Sequence, residues 1–215
     1  MKNIQAILIL VCLCGISTWA VPAQAGPIIF ELSYEFSGAT QPNGTPPWLR
    51  ATFTDVPGGV SLKMESLLQS SSEFVSNWYF NLDPMLNPLS LTINYLSGGP
   101  LASSISRGVN AFQADGDGLF DIRFTFSNAG PNRFNGTDSV TYMITSPQTI
   151  AASSFAFSSV EGGGAGTYYS AAHVQGINDN DSGWVGTDKI VPEPGTAGLL
   201  LCTLGLIAVR RRRAC

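Results

Sequence analysis

Asp115-Gly116-Asp117 and Asp121 place three carboxylates within seven residues and are the best candidate for a hard-cation site between the two ends of the chain. Calcium gathers carboxylate and carbonyl oxygens from tight turns, and glycine permits a chain to turn that sharply. The register of a helix-loop-helix calcium site is not met. With Gly118 at the invariant glycine, Gln113 stands where the first acid is needed and Phe124 where a bidentate Glu is needed. The same residues suit a hairpin turn, in which Asp and Gly take ordinary turn roles. A calcium site of another kind and a plain hairpin turn are both open readings of Asp115, Asp117 and Asp121, and no other cofactor is indicated. A second oxygen-rich run, Asn178-Asp179-Asn180-Asp181-Ser182-Gly183, has Lys189 where its closing carboxylate should fall.

Nucleophilic chemistry is poorly served. His173 is the only histidine, no Gly-x-Ser-x-Gly elbow accompanies it, and residues 26–190 contain no cysteine. A zinc site of His and Cys ligands is excluded by the same count. A secreted hydrolase working through paired carboxylates needs only two acids, but no pair stands out, so no catalytic residue is assigned. Aromatic side chains, the tryptophans together with tyrosines such as Tyr168 and Tyr169, offer a different chemistry, the stacking of flat rings on sugar faces. Trp78, within Trp78-Tyr79-Phe80, reads as core; Trp48 and Trp184 lie beside loops and are the candidates for glycan contact.

The elements that must position these residues read as strands. Ile28, Phe30, Leu32, Tyr34 and Phe36 alternate with polar or less apolar positions, a period of two that predicts one half-buried strand over 28–36. Further strands are expected at 49–55, 60–64, 74–82, 89–96, 120–127, 140–145, 155–160 and 168–175, each bounded by turn residues, with a short helix over 65–69. About nine short strands with Gly-rich turns predict an all-β fold, an antiparallel β-sandwich or jelly roll over 26–177. Residues 178–190 read as a polar spacer.

Composition agrees with an exported β domain. Residues 26–190 carry fourteen acids and six bases, a net charge of −8, which disfavours nucleic acid as a partner. All four cysteines, Cys12, Cys14, Cys202 and Cys215, lie outside that stretch, so the domain must be held by packing without disulfides. At the N-terminus, Lys2 precedes an apolar run over 4–19, and Ala23-Gln24-Ala25 has the small-x-small form that signal peptidase accepts. Cleavage is expected after Ala25.

The last residues carry the most specific signal. Val191-Pro192-Glu193-Pro194 is held extended by its prolines; an uncharged apolar run follows over 195–209, and then Arg210, Arg211, Arg212 and Arg213. Fifteen helical residues would span roughly 22 Å, short of a bilayer core of about 30 Å, so the run suits transient residence as one short transmembrane helix. The arginines favour the cytoplasmic side and place residues 26–190 across the membrane. This order is similar to the PEP-CTERM sorting signal of Gram-negative bacteria, over residues 191–215. The resemblance implies processing near Pro192, Glu193 and Pro194 by an exosortase-type enzyme, and delivery to the cell surface or extracellular matrix in association with exopolysaccharide. The expected role of the domain is structural or adhesive, with a carbohydrate-binding module for exopolysaccharide as the alternative.

Overall fold

The computed structural model describes residues 26–164, 166–187 and 191–192. Among them the chain forms β1 (Ile28–Leu32), β2 (Tyr34–Glu35), β3 (Leu49–Val56), β4 (Gly59–Ser66), β5 (Phe74–Phe80), β6 (Thr92–Gly99) and β7 (Ser104–Ala114). It continues with β8 (Gly118–Thr125), β9 (Phe134–Asn135), β10 (Ser139–Thr145), β11 (Val160–Glu161), β12 (Ser170–Ile177), β13 (Asp181–Thr187) and β14 (Val191–Pro192). Three 3-10 turns, Pro88–Ser90, Gly130–Asn132 and Ala152–Phe155, are the helical segments among the described residues. The fold is all-β, and every strand pair is antiparallel.

Two sheets share the strands. The first runs β14-β1-β3-β4-β10-β6; the second runs β11-β8-β5-β12-β13-β2, with β7 also on β8 and β9 on β5. Alternation along each strand sends one set of side chains into a common core. Phe30, Leu32, Leu49, Phe53, Leu62, Met64, Val140 and Ile144 come from the first sheet, and Trp78, Phe80, Ile122, Phe124, Ala172, Val174 and Val185 from the second. Rings meet across the gap: Phe53 lies edge-on to Phe80 at 5.4 Å, and Phe124 meets Tyr142 at 5.1 Å. The buried Trp78 indole N–H donates to Ser170 Oγ at 2.9 Å, and that hydroxyl donates to the Tyr79 carbonyl at 2.9 Å, so the ring's polar atom does not go unpaired.

Several expectations need correction. The strand expected over 28–36 is two strands in different sheets: the chain leaves the first sheet after Leu32, and Ser33 N–H donates to the Gly186 carbonyl of the second. Phe30 and Leu32 stay in the core while Tyr34 is exposed, because the switch of sheet reverses what the alternation faces. The helix expected over 65–69 is absent; β4 runs on to Ser66, and Leu67 N–H donates to the Trp48 carbonyl. The strand expected over 155–160 is a 3-10 turn ending at Phe155, whose ring stacks on Phe53 at 4.5 Å, followed later by the two residues of β11. The strand expected from residue 89 begins at Thr92, after the Pro88–Ser90 turn. β7 was not expected; its residues are mostly exposed or half-buried and lack alternation.

The spacer expected over 178–190 also fails in part. Residues 178–180 form a hairpin turn with Asn178 and Asp179 in the left-handed region, and Asp181–Thr187 is β13, inside the second sheet between β12 and β2. Residues 26–177 alone therefore lack a strand of the fold.

Candidate functional site

The expected cation donors occupy separate structural roles. Asp115 (φ 47°) and Gly116 (φ 81°) make the tight turn of the β7–β8 hairpin, closed by Asp117 N–H donating to the Ala114 carbonyl at 2.9 Å. The Gly162-Gly163-Gly164 loop lies on that turn: Gly162 N–H donates to the Asp117 carbonyl at 2.8 Å and Gly164 N–H to the Gly116 carbonyl at 2.9 Å. Gln113 Nε2 spans both, reaching the carbonyls of Gly116 at 3.1 Å and Gly162 at 2.6 Å. Those carbonyl oxygens, which a cation would need, are therefore already engaged. Asp121 is buried, and its carboxylate accepts the N–H groups of Leu82 at 3.0 Å and Asn110 at 2.8 Å. Among the described residues no three of His, Cys, Asp and Glu gather in metal-binding geometry. The second oxygen-rich run is the β12–β13 turn, where Thr40 Oγ1 donates to Asp181 Oδ2 at 3.2 Å.

Of the two tryptophans expected to contact glycan, one is misplaced. Trp48 is 3% exposed and packs in the main core, so it is no surface platform. Its loop position in the sequence was misleading because Trp48 extends the ladder at the start of β3: its N–H donates to the Leu32 carbonyl on one side, and its own carbonyl accepts from Leu67 on the other.

Trp184 is on the outer face of the second sheet. Register places Trp184 opposite His173, His173 opposite Asn77, Ala171 opposite Tyr79, and Tyr79 opposite Arg123. Opposed residues share a face, so Asn77, Tyr79, Arg123, His173 and Trp184 stand together, away from the core that holds their neighbours Trp78, Ala172 and Val185. The Trp184 and His173 rings stack at 4.6 Å with only 17° between their planes, and Tyr79 meets Trp184 at 5.6 Å. Phe36 stacks on Tyr168 at 4.2 Å and borders Trp184 at 6.5 Å. On the other side the Arg123 guanidinium lies 4.8 Å over the Phe112 ring. A second, smaller apolar cluster of Tyr79, Ala114, Phe120, Tyr168 and Ala171 lies on this same face with Phe36, Phe112 and Trp184 packed against it, so the hairpin carrying Asp115 is packed against this face.

Polar groups edge the rings. Ser76 Oγ meets His173 Nδ1 at 3.0 Å, Gln175 Nε2 lies 3.4 Å from the same nitrogen, and Thr125 Oγ1 donates to Asn77 Oδ1 at 3.1 Å. Burial lowers the His173 pKa, which keeps its ring neutral near pH 7. Burial raises the Tyr79 pKa against the opposing pull of Arg123. Asp115 is raised too, by burial first and then by the charges of Asp117 and Glu35, which brings the hairpin tip within electrostatic reach of β2. The Ser76–His173 contact is not arranged for attack on a substrate. Ser76 is buried and its hydroxyl also approaches the His173 carbonyl at 3.3 Å. A half-exposed, near-coplanar pair of neutral rings with amides at its rim can stack on the apolar face of a neutral sugar while hydrogen-bonding its hydroxyls.

The outer face of the first sheet is different in kind. Glu31 and Arg50 pair at 2.6 Å, Lys63 and Glu65 at 2.6 Å, and Thr52 and Thr141 lie among them. This face is charged and polar rather than aromatic. The aromatic face therefore stands out by contrast. Of its residues Trp184, His173 and Tyr168 were singled out from the sequence. Tyr79 was legible in principle, since alternation through Trp78-Tyr79-Phe80 must turn the middle ring away from the core.

The sorting residues fall mostly outside this description. Val191 and Pro192 form β14, paired with Ile29 and Ile28 at the edge of the first sheet. Ala23, Ala25, Glu193, Pro194 and the four terminal arginines, Arg210, Arg211, Arg212 and Arg213, lie outside the described residues. No described helix is long and apolar enough to cross a membrane, and the apolar run over 195–209 is also outside the described residues. No family model, curated protein or solved structure matches the chain.

Proposed function

We propose that this chain is an exported surface or extracellular-matrix protein, matured at both ends. Signal peptidase removes residues 1–25, and an exosortase-type enzyme acts at Val191-Pro192-Glu193-Pro194 after the apolar run has held the chain transiently in the membrane. The remaining domain is a β-sandwich with a structural or adhesive role. The observation that carries this reading is the order of the C-terminus: proline-stiffened peptide, short uncharged span, four arginines. The fold is compatible with it, since the described strands make a domain that ends at the processing peptide. Intact mass and cell fractionation in the native host test it, comparing wild type with Pro192→Ala/Pro194→Ala. Wild type is expected to lack both the signal peptide and the arginine cluster and to reach the surface, while the variant stays in the membrane. A wild-type mass that retains Arg210, Arg211, Arg212 and Arg213 would overturn the reading.

A second reading is favoured by one specific observation, the stacked Trp184–His173 pair on an otherwise aromatic outer face. It makes the domain a carbohydrate-binding module whose ligand is a neutral stretch of exopolysaccharide. Trp184→Ala should weaken retention on immobilised host exopolysaccharide by about tenfold or more, equivalent to roughly 1.4 kcal/mol. Equal retention by Trp184→Ala and wild type would leave only the structural role.

A further inference from the structure

The strand ends define two poles of the molecule. At one pole lie the start of β1 with β14 beside it, the β3–β4 turn, the segment over 81–91 after β5, the outward bulge of β7 over 108–111, and the segment over 146–160. Contacts tie these together. Ala152 N–H donates to Asp55 Oδ1, Asp83 N–H donates to the Ser154 carbonyl, and Asn110 and Leu82 share the Asp121 carboxylate. Charge is sparse and basic residues are absent from these segments: residues 26–29, 56–59, 81–91, 108–111 and 146–160 contain a single ionisable side chain, Asp83, with half-buried Asp55, buried Asp121 and exposed Glu161 beside them. Met85 is 86% exposed, Leu89 66%, Val109 66% and Val160 51%. Val109 and Val160 meet Pro84, Leu86 and Pro88 around a cavity of ≈ 140 Å³. Large apolar side chains grouped on a surface with few charges mark an interaction site rather than ordinary surface.

We propose that this pole is a docking surface for the lipid bilayer interface, used while the chain is anchored by its tail. The inference rests on the membrane-anchored intermediate proposed above. Its own support is where the described chain ends. β14 brings Val191 and Pro192 to this pole, and only Glu193 and Pro194 separate Pro192 from the apolar run that begins at Gly195. Three residue steps reach at most about 11 Å. The headgroup layer is about 6 Å deep on each side of the hydrocarbon core, so an inserted run leaves this pole at headgroup depth. A run shorter than the core draws its flanks further inward. Met85 and Leu89 then enter the interface. The opposite pole, with residues 67–72 and 127–138, points away. β13 is what forces this: the residues that would have been a spacer are consumed by the fold.

The test uses the proposed membrane intermediate, residues 26–215, with Cys202 and Cys215 replaced by serine, reconstituted in phosphatidylcholine vesicles that contain acyl-brominated phosphatidylcholine. A fluorophore is placed by Leu89→Cys or, at the exposed opposite pole, by Ser71→Cys. Bromine quenching is expected at position 89 and not at 71, and Met85→Asp should at least halve the quenching at 89 while the protein still floats with the vesicles. If label 89 in a floating chain is quenched no more than label 71, the pole stands off the bilayer, and the proposal falls while the anchored intermediate survives. Quenching unaffected by Met85→Asp would also overturn it, since the tether alone would then account for the proximity. A chain that does not float would sink both the docking surface and the anchor.

Discussion

Asp121 shows how a residue chosen for one chemistry can serve another. Its carboxylate sits where β8, the segment after β5 and the bulge of β7 converge, and it accepts one backbone N–H from each of the last two. The buried Leu82 N–H costs about 1–3 kcal/mol when it loses its acceptor and the part-buried Asn110 N–H less, so Asp121→Ala should lower the unfolding free energy by roughly 2–4 kcal/mol in urea denaturation. Asp121→Asn, which keeps one accepting oxygen, should lose less. Asp115→Asn, at an exposed turn, should stay within about 0.5 kcal/mol of wild type. A loss on Asp115→Asn comparable with that on Asp121→Ala would mean that the hairpin tip, and not the buried carboxylate, organises this region. His173 gives a pH signature. Burial lowers its folded pKa below the value of about 6.5 expected of an unfolded chain, so the unfolded state binds the proton more readily. Stability from the neutral ring is full above that pH, is lost as pH falls from it towards the lowered folded value, and levels off below. The urea midpoint should fall on acidification through this window in wild type, with His173→Gln showing a shallower fall. Parallel curves for the two would assign the pH dependence to the carboxylates instead.

Strands whose apolar residues alternate were legible; strands shaped by close contacts were not. β3, β4, β5, β8, β10 and β12 all coincide with expected strands to within a few residues, because each feeds the shared core from one face. β13 has the composition Asp-Ser-Gly-Trp-Val-Gly-Thr, and its two glycines erase the period. The structure supplies their reason. A Cβ on Gly183 would lie 2.2 Å from the Thr40 carbonyl oxygen, and one on Gly186 would lie 3.0 Å from the Tyr168 ring and 3.1 Å from Phe36. The strand is glycine-rich because neighbouring backbone and rings cross directly over it. Gly183→Ala should therefore destabilise by about 1–3 kcal/mol, the range for overpacking, and more than Gly186→Ala, whose obstructing ring edges can shift by tenths of an ångström. Denaturation midpoints in the order wild type, Gly186→Ala, Gly183→Ala are expected; the reverse order of the two variants would mean that the 37–40 segment yields more easily than the Phe36–Tyr168 stack. The aromatic face was half legible for a related reason. Trp184 and His173 are adjacent only through the register of β12 and β13, which no local pattern discloses.

At the scale of the whole molecule, composition foresaw an acidic, cysteine-free, all-β unit, and its mechanical consequence can be tested. Under the proposed export the domain would reach a compartment where disulfides form, and small extracellular domains often depend on them. Here the stretch over 26–192 has no cysteine, and cohesion must come from two sheets burying a common core that includes Phe30, Phe53, Trp78, Phe80, Phe124, Phe134 and Phe155. A domain of this length buries enough of its surface to stand without staples. Each such ring contributes about 2–3 kcal/mol on burial, a term indifferent to redox state. The urea midpoint of the full exported chain should accordingly be the same with and without excess dithiothreitol. A lower midpoint under reduction would trace to Cys202 and Cys215, and, since the domain has no cysteine to pair with them, would mean that a disulfide within the tail or between two chains adds stability where the core is expected to suffice.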